Sequence, residues 1–528
     1  MMSLSGATRL AAATAALLLW LALLLGTSAF PAGALCAASL FGLGLVRPRF
    51  ALGLLLVLAA LSPLPAILGA IGWFSPAEGG LWGLWAAYAW RERSSPRRPY
   101  DLPGTVSAAF GAYAALSCCA LLFRGGTAPA SLWTALARLP ELESGAPLYG
   151  LRATSLLLEG LLAFHLARRL DSDPQPAKAT VWGLWTGGTL AAASFFLFFL
   201  PRLADPLHNW ASYRAALTFR DPESASAFGL LVLGAGLALA SKRARFPLLY
   251  LLPGILVLFF TGSRTANFIA LAGALGLAFY AGVTRLRLAR PDVSEDELAR
   301  SPAVLPALLA GALALLLLLF PSPSKRRYLD LVVPHRLVDQ GLADRLDLWE
   351  PALRLLGEFP LSGIGPGEFT YALGGRPAVG HPGAPASARC YPLQLAVEYG
   401  LPALGLWLGL LVVVLLPGFR NWRYLPPETA ALLLGIAFYL VHCLTSDPLL
   451  LLEHQLFFWS ALGALAGRFS RVADRGEGPV ARLLCAICLA VPLWAAFQPL
   501  PAPPSTGAPR PSHGVAVPSP GNGPPTVP

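Results

Sequence analysis

The chain has 528 residues, 55% of them hydrophobic and only 13% charged, where a soluble domain carries roughly 25% charged residues. Its 39 Lys and Arg and 28 Asp and Glu are too few to cover a water-soluble surface of this size, so most of the chain faces lipid. The net charge of +11 would suggest nucleic acid in a soluble domain. In a chain that crosses a membrane repeatedly it belongs to basic cytoplasmic loops, and nucleic acid is not expected among the partners.

Apolar stretches of about 20 residues, each able to cross a ~30 Å hydrocarbon core as a helix, recur along the sequence. The first, at 8–28, has the basic start and apolar run of a signal peptide, but further spans follow and it is read as a retained helix. Spans follow at 31–46, 50–73, 103–123, 148–167, 180–200, 225–241, 246–260, 266–284, 302–320, 393–416, 428–445, 452–467 and 480–497, with a weaker one at 77–90. Backbone groups in lipid must bond within their own segment. The predicted class is therefore all-α: a polytopic membrane protein of about 12 to 15 transmembrane helices.

Lys and Arg cluster at Arg47/Arg49, Arg91 to Arg98, Arg168/Arg169/Lys178, Lys242 to Arg245, Arg285 to Arg290, Arg420/Arg423 and Arg468 to Arg475. With 77–90 counted as a span, every second loop is basic. Basic residues are retained inside, so the N-terminus is predicted to be cytoplasmic and 124–147, 201–224, 261–265 and 321–392 to face outward. The chain divides into N-terminal spans (1–200), a core with the long outer loop (201–420), C-terminal spans (421–498) and a Pro-rich tail (499–528) that reads as disordered.

The loop 321–392 is far longer than the roughly 15 residues usual for a structureless connection. It holds a helix-period stretch, LADRLDLWEPALRLLGEF, and then a punctuated run, PLSGIGPGEF, so it is expected to be extracytoplasmic, folded and partly helical. The seven cysteines lie mostly in apolar runs. Cys485 and Cys488 spell a CxxC without a neighbouring metal ligand and read as helix-buried thiols. His165, His442 and His454 fall in or at spans and read as packing residues, while His335 and His381 lie in the outer loop as acid/base candidates. No metal-ligand spacing, P-loop, Rossmann turn or nucleophile elbow occurs.

Sorting the charges by side leaves an outward-facing remainder: Arg214, Arg220, Arg264, Arg345 and Arg389, with Arg202, Arg326 and Arg336 as weaker members. Arg264 interrupts two apolar spans in FFTGSRTANFIALAG, where a cation is costly unless paired or set in a wet cavity. It either snorkels to the interface or clamps an anion with its rigid fork of donors. Arg345 and Trp349 are one helical turn apart and share a face, serving either a site or an exposed amphipathic surface. Arg214 and Arg220 lead into a span that Asp221 or Glu223 can cap.

Four stretches together resemble the O-antigen ligase and polymerase family of bacterial membrane glycosyltransferases. They are RAALTFRDPESASAF with Arg214 and Arg220, TGSRTA with Arg264, RLDLWEPALRLLGEFPLSGIGPGEF with Arg345 and Trp349, and RCYPLQLAVEYGLPALG with Gln394 and Glu398. The resemblance covers roughly residues 200 to 420 and implies glycan transfer at the outer face of the inner membrane. The implied donor is a polyprenyl diphosphate-linked glycan, and the acceptor a lipid, glycan or protein hydroxyl. No cofactor, metal or nucleotide sugar is implied. Arg264 and Arg345 are assigned to the diphosphate, with Arg214, Arg220, Arg389, Trp349 and Gln394 as further substrate contacts.

Where the family has His-Asn, this chain has Arg389-Cys390, and a guanidinium cannot act as a general base at neutral pH. His381, Glu368 or Glu398 is left to activate the acceptor, unless the acceptor has changed or transfer is lost. A polysaccharide or lipid transporter, or a non-catalytic relative, is the alternative, although the internal repeats typical of transporters are not evident.

Overall fold

A computed structural model describes residues 29–62, 75–93, 102–124, 147–171, 177–196, 216–219, 221–241, 247–275, 340–373 and 387–469. Among the described residues every regular element is helical. The first eight helices are α1 (Ala29–Val46), α2 (Pro48–Leu61), α3 (Pro76–Glu92), α4 (Leu102–Arg124), α5 (Pro147–Leu170), α6 (Lys178–Ser194), α7 (Pro222–Ala240) and α8 (Pro247–Thr261). After helical residues 264–275 come α9 (Gln340–Glu358), α10 (Phe369–Ala372), α11 (Tyr391–Tyr399), α12 (Leu401–Arg420), α13 (Pro427–His442) and α14 (Leu452–Phe469). The weaker stretch at 77–90 is helical throughout as α3. The spans proposed at 8–28, 302–320 and 480–497, the tail, and the Cys485/Cys488 pair lie outside the described residues.

Among the described residues, Leu102–Ala120, Pro222–Ala240 and Leu401–Arg420 form helices long and apolar enough to cross a membrane. Further apolar helices at 32–46, 48–61, 248–261 and 427–442 are shorter. α7 is the central helix, buried along its whole length. It packs against α6, α8 and α13, while α14 packs on α5 and α1 on α3. Lipid supplies no hydrophobic drive between helices, so close approach through small residues does the work. Gly234 of α7 and Gly435 of α13 show this: a Cβ on Gly234 would stand 2.7 Å from the Gly435 Cα. That crossing sets the ends of α7 and α13 against each other.

Local chemistry explains where the helices begin. α3 opens with a capping box: Glu78 N–H donates to Ser75 Oγ at 3.2 Å and Ser75 N–H to Glu78 Oε2 at 2.6 Å. Arg152 of α5 also pairs with Glu78, so this buried carboxylate is not left bare. α7 begins at Asp221, whose carboxylate accepts Ser224 N–H at 2.8 Å and Ser224 Oγ–H at 2.6 Å, and Pro222 occupies the first turn. Of the two sequence candidates, Asp221 is the cap.

The described part of the long loop has a small core of its own. Ala352, Ile364, Phe369, Ala388 and Val397 are buried together, apart from the large cluster that fills the helix bundle. α9 is amphipathic and lies against α11. The loop's helical and Gly-rich segments are thus folded, as their sequence patterns require.

Candidate functional site

The site is built on a turn. Residues 360–369 wrap around the C-terminal end of α11, where the last carbonyls of a helix need partners. Ile364 N–H donates to Val397 O at 2.9 Å and Gly365 N–H to Glu398 O at 3.0 Å. Leu401 N–H returns a bond to Pro360 O at 2.8 Å. So tight a wrap needs glycine. Gly363 (φ +64°) and Gly400 (φ +85°) sit in the left-handed region, and a Cβ on either would collide with the opposite backbone, at Glu398 O and Leu361 O respectively. From α4, the Tyr113 hydroxyl reaches Tyr399 O at 2.8 Å and Leu361 O at 3.1 Å.

Glu398 is enclosed by this wrap. It is 4% exposed, and its carboxylate meets the backbone N–H groups of Gly367 and Phe369 and the Gln394 amide. Burial, the largest effect, nevertheless pushes its pKa up to about 7, with the neighbouring Glu368 carboxyl adding to the rise. Burial raises Glu368, which is half-buried, to about 7 as well.

Gln394 links this knot to the next segment. Its Nε2 donates to Glu398 Oε1 at 2.7 Å and its Oε1 accepts Ala388 N–H at 2.8 Å. Trp349 of α9 holds the other backbone group of the same residue, donating its indole N–H to Ala388 O at 2.9 Å. Ala388 is pinned from both sides, and the next residue, Arg389, is held at φ +48°, a conformation costing a non-glycine residue of order 1–3 kcal/mol. One turn before Trp349 lies Arg345, whose Nε is buried without a hydrogen-bond partner.

A second polar cluster lies where α7, α13 and α14 meet. Arg389 acts electrostatically on Asp447, in the turn between α13 and α14. Burial pushes the Asp447 carboxyl up, a Ser387 hydrogen bond and the Arg389 charge pull it back, and Asp221 adds to the rise. Tyr391 N–H donates to Cys443 O at 2.9 Å and Ser446 O at 3.2 Å, tying α11 to the same turn. Below it, His442 is fully buried, with Nε2 3.1 Å from Ser226 Oγ and 3.5 Å from Glu223 Oε2, and Nδ1 against Ser446 Oγ. Ser263 Oγ–H donates to Glu223 Oε2 at 3.0 Å, and the next residue is Arg264, half-buried. Among the described residues no cluster of His, Cys, Asp and Glu could hold a metal.

Of the residues singled out in the sequence, the structure joins Trp349, Gln394 and Glu398 through Ala388 in one hydrogen-bonded network, with Arg345 one turn before Trp349 and Arg389 next to Ala388. Through Asp447 that network leads to the cluster beside Arg264. Arg214, Arg220 and His381 lie outside the described residues. Glu223, His442, Ser446 and Asp447 went unrecognised in the sequence. Their signal was there: HCLTSDP places a histidine, a serine and an Asp-Pro at a span end, the counterpart of FRDPES at the start of α7.

Residues 249–408 match the family model described as O-antigen ligase. That segment is similar to the O-antigen ligase family. No curated protein matches the chain. Among the described residues the chain also has three helices long and apolar enough to cross a membrane. The match runs from α8 through Arg264, Arg345, Trp349, the glycine turn, Gln394 and Glu398 into α12. It does not include Arg214, Arg220, Glu223, His442, Ser446 or Asp447.

Proposed function

We propose that this ligase-type protein moves a glycan from a polyprenyl diphosphate carrier onto an acceptor hydroxyl at the outer face of the bacterial inner membrane, as a ligase or a polymerase. The observation that carries this reading is Arg345: a guanidinium whose buried Nε lacks a partner, on a helix docked through Trp349 beside Arg389. Breaking the glycosidic bond leaves negative charge on the diphosphate. A positioned cation in a water-poor site stabilises such charge by about 3 kcal/mol, or a factor of 10² or more in rate.

Arg345 and Arg264 take the diphosphate, and Arg389, next to the pinned Ala388, adds positive charge. Arg214 and Arg220 are assigned as auxiliary donor contacts and His381 as an acid/base candidate, all by the family pattern. Trp349, Gln394 and Glu398 are positioning residues, because the polar groups of all three are engaged by the chain itself. The apolar helices hold the lipid tail. The alternation of basic loops supports an N-terminus in the cytoplasm and the 321–392 loop outside.

Arg264→Ala and Arg345→Ala are expected to abolish surface-polysaccharide assembly in cells that depend on this protein, at normal membrane levels of each variant. Intact polysaccharide in both strains refutes the diphosphate assignment.

A further inference from the structure

Arg389-Cys390 replaces the family's His-Asn, and neither residue can take the acceptor's proton: the guanidinium stays charged, and burial pushes the Cys390 thiol up. Glu398 is enclosed by backbone donors. Besides His381 and Glu368, the second polar cluster supplies a proton acceptor.

We propose that Glu223, His442 and Ser446 form a proton relay that activates the acceptor hydroxyl, with Ser446 meeting the acceptor and His442 holding the proton. The inference rests on the glycan-transfer reading above and adds to it a constellation outside the matched segment. The three come from separate elements: Glu223 from the first turn of α7, His442 from the end of α13, and Ser446 from the turn that follows.

The relay takes the tautomer with the ring hydrogen on Nε2, donated to Ser226 Oγ, a hydroxyl that itself donates to Glu223 O at 2.7 Å. Nδ1 is then the basic nitrogen, and it faces Ser446 Oγ. The surroundings also suit the charged ring. Once Nδ1 is protonated it donates to Ser446 Oγ, whose own hydrogen turns to His442 O, 3.0 Å away. Glu223 Oε2, 3.5 Å from Nε2, balances the imidazolium, much as a carboxylate supports a catalytic histidine in hydrolases.

In the step, the acceptor oxygen bonds to the anomeric carbon while the bond from that carbon to the diphosphate oxygen breaks, its electron pair leaving on the diphosphate. The acceptor proton passes to Ser446 Oγ as the Ser446 proton passes to His442 Nδ1, and the imidazolium later gives its proton to water. His442 and His454 of α14 act on each other electrostatically, and Asp447, on which Asp221 and Arg389 act, lies in the adjoining turn.

The test is glycan transfer by full-length protein in proteoliposomes, using lipid-linked glycan extracted from cells that lack the protein. His442→Gln and Ser446→Ala should each fall about 10²-fold, the contribution of a positioned proton acceptor. Binding of undecaprenyl diphosphate should be unchanged in both. Should His442→Gln fail to fold, Ser446→Ala and Glu223→Gln carry the test. Variants within twofold of wild type, with the loss falling on Glu368→Gln instead, overturn the relay. If wild type neither transfers nor binds undecaprenyl diphosphate, the underlying transfer reading fails instead.

Discussion

The two polar clusters of this protein are made of similar residues and spend them differently. In the Gln394–Glu398 knot, side-chain groups are bonded mainly to backbone: Ala388 N–H, Gly367 N–H and Phe369 N–H. In the Glu223–His442–Ser446 cluster, side chains are bonded mostly to one another across helix ends. The first arrangement fixes a turn and has no capacity left over. The second sets a ring nitrogen opposite a hydroxyl. On the proposed reading the knot builds the site, and the helix-end cluster together with the arginines acts in it.

Substitutions in the knot should therefore appear first as lost structure. Gly363→Ala should be the most severe, since it places a Cβ against Glu398 O at φ +64°. The conformation alone costs about 1–2 kcal/mol, and the collision adds to it. The expected outcome is a sharp fall in membrane protein level and in Tm in detergent. A Gly363→Ala protein with wild-type Tm would show that the wrap is not structural. Trp349→Phe should be milder. It removes one hydrogen bond to Ala388 O, worth about 1 kcal/mol, and should slow transfer several-fold while bundle stability holds; equal losses in both would place Trp349 in the bundle core.

The smallest effect concerns pH. Glu398 and Glu368 are both raised from 4.5 to about 7, so between those values the folded loop binds more protons than the unfolded chain. Its stability should fall as pH rises from about 4.5 to 7 and level off above that. Protease protection of the 360–373 segment should follow this course and flatten in Glu398→Gln. Protection that increases with pH would contradict the burial of these carboxyls.

Hydropathy alone revealed the helical class, because twenty-residue apolar runs allow nothing else in lipid, and the cap at Asp221 was visible as a residue type. The loop's order was legible in the period of LADRLDLWEPALRLLGEF and the glycines that follow. The roles of Gln394 and Trp349 were not. Both looked like substrate contacts, and only the fold brings them to the backbone N–H and C=O of Ala388. His442 was passed over because burial in a span usually means packing. Nothing local to HCLTSDP discloses that Glu223, more than two hundred residues earlier, waits across the Gly234–Gly435 crossing.

The central claim is that Arg345 holds the diphosphate as the glycan leaves. The most direct measurement is the rate of glycan transfer from the extracted lipid-linked donor in proteoliposomes, comparing wild type, Arg345→Ala and Arg345→Lys. The account predicts a loss of about 10² or more for Ala, with partial recovery for Lys, which restores charge without the planar fork. An Arg345→Ala protein that transfers glycan at the wild-type rate would contradict it.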